Sequence, residues 1–211
     1  MLLRPENSST HTLATFILQE TDEHRQTFEA LLPELVHPFG EILSIWEQAI
    51  RDGGKLLFFG NGGSAADAQH LAAEFVIRYH TDRAPIAAIA LSTDTSTLTA
   101  GANDMGFEQV FSRQVAALGR PGDVAVGITT SGRSPNVLSA LATARARGLK
   151  TTALTGGLQS TRRPELTSLC DGLLVVPSHT TARIQEMHIM LGHMLCKALE
   201  RRLGLAAGPP V

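Results

Sequence analysis

The chain of 211 residues contains only two cysteines, Cys170 and Cys196, in no Cys-x-x-Cys spacing. They read as idle thiols in a reducing compartment rather than as a disulfide framework. No apolar stretch is long enough to span a bilayer, and Met1-Leu2-Leu3-Arg4-Pro5 does not open the long apolar core of a signal peptide. An excess of one charge is also missing. The formal net charge is −2, so neither a basic nucleic-acid footprint nor a polybasic membrane face is expected. These absences point to a cytoplasmic protein with no nucleic-acid or membrane partner. An anionic ligand would have to be held by local devices, because no global positive field attracts it.

What is present is ordinary globular material, 43% hydrophobic and 18% charged, enough for one α/β domain over 1–211. Apolar residues recur at three- and four-residue spacing over Thr12–Ala30 and Leu35–Arg51, with Pro33 and Pro38 as punctuation. This predicts N-terminal helices over 1–52 that precede any strand, suited to an oligomer interface. Over 53–203, short apolar runs alternate with helical segments. The runs are Lys55–Phe59, Ile86–Leu91, Val124–Ile128, Lys150–Leu154 and Gly172–Val176. Such runs predict a five-stranded parallel sheet covered on both faces, a three-layer αβα sandwich. A last helix is expected over Thr181–Arg202, and 204–211 reads as a flexible tail.

Two polar loops follow strands, where folds of this class bind ligands. The segment Thr129-Thr130-Ser131-Gly132-Arg133-Ser134-Pro135 carries four hydroxyls within its first six residues. Ser134-Pro135 fits an N-cap followed by proline at the first helical position, and helix N-termini favour anions. The plain alternative is a capped helix after a flexible turn. Gly60-Asn61-Gly62-Gly63-Ser64 lets backbone approach a ligand closely; Ser64 could cap the next helix, with Asp67 three positions on. It has no Walker lysine and no dinucleotide spacing.

His70 and Glu74 are four apart on the helix after Ser64, and so share a face. They could share a metal or exchange protons, or simply form a solvated pair. Arg78 is expected to continue that face. Gln185 and His193 fall on one side of the strongly apolar last helix, where a histidine is commonly a core residue; His188 reads as core. Asn103-Asp104 reads as a turn that could meet sugar hydroxyls.

The ordered set Gly60-Asn61-Gly62-Gly63-Ser64-Ala65-Ala66-Asp67-Ala68-Gln69-His70, Glu74, Ala102-Asn103-Asp104, Thr129–Ser134 and Arg183-Ile184-Gln185-Glu186-Met187-His188 with His193 resembles the phosphoheptose isomerase family of SIS-domain proteins. The resemblance covers about 50–200. It implies the SIS fold, a homotetramer with sites at subunit interfaces, and conversion of sedoheptulose 7-phosphate to D-glycero-D-manno-heptose 7-phosphate. One zinc per subunit is implied, on His70, Glu74, Gln185 and His193. Glu74 and His193 correspond to the catalytic pair. Substrate contacts are implied for Asn61, Gly62, Gly63, Ser64, Glu74, Asn103, Asp104, Thr129, Thr130, Ser131, Ser134 and Gln185. Thr129-Thr130-Ser131 stands where Ser-Thr-Ser is usual, and Arg133 where a small polar residue is common. The rival reading is a non-catalytic SIS protein of the replication-initiator-associating type, working by protein–protein contact. Those relatives lack the pair that this chain keeps at 74 and 193. Another heptose or octulose phosphate is the rival substrate.

Overall fold

The computed structural model describes residues 6–157, 164–208 and 211. The chain opens with one helix, α1 (Glu6–Arg51), where two were expected, and both Pro33 and Pro38 lie inside it. An interior proline costs about 3 kcal/mol through a lost hydrogen bond and a steric clash. Against that, Leu31, Leu35, Ile42, Leu43 and Trp46 are buried against the core. At about 2 kcal/mol for each buried side chain, this packing outweighs both breaks. Sequence punctuation therefore marks a local weakness in α1, not its end.

The strands are β1 (Leu56–Gly60), β2 (Ala88–Ala90), β3 (Val124–Thr129), β4 (Lys150–Gly156) and β5 (Gly172–Val176). Between them run α2 (Gly63–Val76), α3 (Thr95–Met105), a single 3-10 turn (Phe107–Gln109), α4 (Val110–Leu118), α5 (Pro135–Ala146) and α6 (Pro164–Leu169). The last helix is α7 (Thr181–Arg202). All pairings are parallel, in the order β2-β1-β3-β4-β5. Strand β2 is shorter than its apolar run because it is the edge, paired with β1 only from Ala88 to Ala90.

Both sheet faces are buried, which explains the unbroken apolar strands. Leu56, Phe58, Val124 and Val126 pack under α1, α2 and α7, while Leu57, Phe59, Ala125 and Ala153 pack under α4, α5 and α6. On the first face Trp46 meets Phe58 edge-on, and its indole N–H donates to Thr152 Oγ1 at 3.0 Å. The strand order reverses between β1 and β3, so their crossovers leave in opposite directions and open a crevice at their carboxyl ends. Gly60 pairs with Ile128 there. Both polar loops start from that point.

Candidate active site

The loop after β3 is built around its own hydroxyls. Thr129 is buried; its Oγ1 lies 3.1 Å from Ser134 Oγ and accepts from the Gly132 N–H at 3.2 Å. Ser131 Oγ accepts from the Arg133 N–H at 3.2 Å. Gly132 adopts φ 65°, the left-handed region that glycine tolerates. Ser134 has N-cap backbone geometry, with Pro135 at the first helical position. Its hydroxyl turns to Thr129 instead of capping α5, so the first-turn N–H groups of α5 have no side-chain cap from Ser134, the kind of helix N-terminus that favours an anion and here a candidate anion cradle. Thr130 and Ser131 flank this cradle, and Arg133 is exposed beside it.

The loop after β1 is tied to it. Asn61 and Asn136 exchange two amide hydrogen bonds, both 2.8 Å. Asn136 is buried, and nothing in the sequence marked it beyond its place after Ser134-Pro135. Gly62, at φ 57°, is the N-cap of α2, so the cap falls two residues before the expected Ser64. Ser64 is instead buried inside the first turn, under Gly60. Asp67 lies one turn on, and burial pushes its carboxyl up to about 6 against the opposing pull of His70.

The third part comes from two helices far apart in sequence. His70 Nε2 is 2.8 Å from His193 Nε2 and 3.3 Å from Glu74 Oε1. One ligand atom from each of His70, Glu74 and His193 lies within 4.8 Å of the others. Ligand atoms on one tetrahedral zinc stand about 3.4 Å apart, so this donor set fits such an ion after small side-chain rotations. Burial, then the charge of His70, lowers the His193 pKa against the pull of Glu74, favouring the neutral imidazole that a metal needs. Gln185, on the same side of α7, places its amide where a Cβ at Gly63 would stand. Gly63 therefore cannot carry a side chain without moving Gln185. Helices α2 and α7 approach closely because Gly192 is bare: a Cβ there would lie 2.5 Å from Leu71 Cδ2. Tyr79 completes the wall, its ring 5.5 Å from that of His193. Gly192 and Tyr79 were not singled out from the sequence, although a glycine within an apolar helix signals close packing.

Other expected positions fall elsewhere. Asn103 and Asp104 are helical, not a turn: they end α3, exposed, with Asn103 Nδ2 donating to Asp104 Oδ1 at 2.7 Å. Arg78 does not continue the face of α2, which stops at Val76; it pairs with Asp82. His188 is core, and burial drives its imidazole down to about 4 against a weaker upward pull from the Thr155 backbone. Both cysteines are free, with burial raising their thiol pKa values, that of Cys170 to about 12.

A family model described as "SIS domain" matches residues 21–156. The phosphoheptose isomerase of Paramagnetospirillum magneticum is 56% identical over 187 residues, covering 89% of this chain and 95% of that protein. The phosphoheptose isomerase of Chlorobaculum parvum is 57% identical over 162 residues, 75% of this chain and 76% of that one. Among solved structures, a phosphoheptose isomerase from Neisseria gonorrhoeae superposes with a TM-score of 0.82 at 42% identity, covering 90% of this chain and 99% of that one.

Proposed function

The chain belongs to the SIS-domain family and, within it, to the phosphoheptose isomerases, and from that premise we propose that it converts sedoheptulose 7-phosphate to D-glycero-D-manno-heptose 7-phosphate. The observation that carries this reading is the meeting of Glu74 and His193, on helices more than a hundred residues apart, with His70 between them. A non-catalytic binding protein has no use for that acid–base pair.

Phosphate binds at the cradle of Thr129, Thr130, Ser131 and Ser134, with Ser64, in the first turn of α2, as a further contact. The neutral donors there suit a chain with no positive field. Asn61, Gly62 and Gly63 line the sugar, joined by Asn103 and Asp104. The reaction moves one proton between adjacent carbons and one between their oxygens, and consumes nothing else. A base takes a proton from C1 of the ketose, giving an enediol. The same proton or its equivalent returns to C2, while O1 gives up a proton and O2 gains one. Glu74 and His193 carry these transfers, both groups being tunable towards neutrality. His70, Glu74, Gln185 and His193 would hold one zinc, which when bound would polarise the carbonyl. Gln185 also packs against the first turn of α2 at Gly63.

The assembly proposed is a homotetramer in the cytoplasm, with sites completed across subunit interfaces. Leu13, Phe16, Ile17 and Leu18 support this: they are 50–68% exposed on the leading part of α1, an apolar face that a second copy would cover. No helix among the described residues is long and apolar enough to cross a membrane. The test is turnover of sedoheptulose 7-phosphate by purified protein, with the new aldose followed by NMR, with and without zinc. Conversion is expected. Its absence in both conditions, with the protein folded, would overturn this substrate assignment.

A further inference from the structure

Arg83 and Glu200 have side chains only 2% and 1% exposed and form an ion pair at 2.7 Å. Neither belongs to the groups that meet substrate. Arg83, between α2 and β2, donates from Nη2 to the Glu74 carbonyl at 2.8 Å and from Nη1 to the Phe75 carbonyl at 2.7 Å. These are last-turn carbonyls of α2, the end where a cation is favoured and where partners inside the helix run out. Glu200 sits on α7 seven residues, or about two turns, beyond His193, on the same side. Its Oε1 also accepts from the Tyr79 N–H at 3.3 Å, and the Tyr79 ring packs on His193. Each partner thus grips a different half of the reacting pair. Arg83 holds the backbone of Glu74, and Glu200 shares a helix with His193 and fixes the ring against it.

The pair satisfies buried backbone groups, but its charges are weak evidence for a purely stabilising role. Buried ion pairs are commonly no better than apolar packing of the same volume. Glu200 Oε2 is buried with no hydrogen-bond partner among the described residues, which is a cost. We propose that Arg83 and Glu200 are positioning residues, a buried clamp that sets the distance between the end of α2 and α7 and so holds Glu74 against His70 and His193. The inference rests on the reading of Glu74 and His193 as the proton-transfer pair.

The test compares wild-type protein with the Arg83→Met/Glu200→Leu double variant, which removes the clamp without leaving a buried charge, and with Glu200→Gln. Three quantities are read: melting temperature, kcat against KM, and binding of Co²⁺ followed by its visible absorption, which reports ligand geometry without turnover. The double variant should fold and keep KM within about twofold, because the phosphate cradle after β3 and the first turn of α2 lie away from the clamped end of that helix. Its kcat should fall about a hundredfold, the scale expected for displaced reacting groups, and Co²⁺ affinity about tenfold or more, with an altered spectrum. A folded double variant with wild-type kcat and spectrum overturns the clamp. If the double variant does not fold, Glu200→Gln decides by the same two readouts. Wild-type protein that binds no Co²⁺ sinks the metal reading and leaves kcat to judge the clamp. Absent turnover sinks the substrate reading and leaves the spectrum to judge it. If wild type shows neither, the clamp falls with the site it serves.

Discussion

The two halves of the site are made in opposite ways. The anion half is local: Thr129 to Asn136 is one continuous segment whose hydroxyls and amides satisfy one another across at most five residues, apart from the tie to Asn61. In the helix half only the His70–Glu74 pair is local. His70 and His193 meet only because α2 and α7 pack, Gly192 leaves room for Leu71, and Arg83 reaches across to Glu200. On the proposed assignment, phosphate binding is built mainly from a loop, whereas proton transfer would depend on how α2 and α7 pack on the first face of the sheet. The two halves should fail separately.

The sharpest separation is chemical. Glu74→Gln and His193→Gln should each lower kcat by about 10²- to 10⁴-fold, with the fold intact and KM changing far less than kcat. Near-normal turnover in either would remove that residue from the reaction. Acid should strike the helix half through its core. The His188 pKa falls from 6.5 to about 4 on folding, so the unfolded chain binds the extra proton first. Stability is therefore full above pH 6.5 and declines as pH falls towards 4, by up to about 3 kcal/mol. His188→Leu should flatten denaturant-melt stability across that window; an unchanged slope would show that another group controls it. Gly192→Ala should push α7 from α2 and cost about 2 kcal/mol, lowering the melting temperature and, disproportionately, kcat. If kcat survives intact, the helix spacing is not critical. The smallest effect belongs to the loop. Ser134→Ala removes one hydroxyl and should raise KM about tenfold, a loss of about 1.4 kcal/mol, with kcat preserved. A kcat loss with KM unchanged would erase the division between the halves.

The same contrast decides what could be read in the sequence. The parallel sheet, both loops and α7 were legible because each is written in contiguous residues: apolar runs, hydroxyl clusters, a serine before a proline. His70, Glu74 and His193 were legible as types and spacings, but only packing brings them together. Pro33 and Pro38 misled, since local breaking signals lose to the burial of Leu31, Leu35 and Trp46. Asn103-Asp104 misled in the same way, being turn-forming residues taken up into the last turn of α3. Gly192, Tyr79, Asn136 and the Arg83–Glu200 pair escaped notice because each meets a partner at least 75 positions away, and no local pattern names that partner.

The Asn61–Asn136 pairing also bears on how this protein ages. Asn61 precedes Gly62, the dipeptide in which the glycine nitrogen most readily attacks the asparagine carbonyl and expels ammonia. That attack requires the Asn61 side chain to rotate over the Gly62 nitrogen, and rotation breaks both 2.8 Å bonds to Asn136. The folded chain therefore shields its most labile amide at the mouth of the anion cradle. Loss of that amide would put a new negative charge beside the proposed phosphate cradle, so ageing would act first on substrate binding.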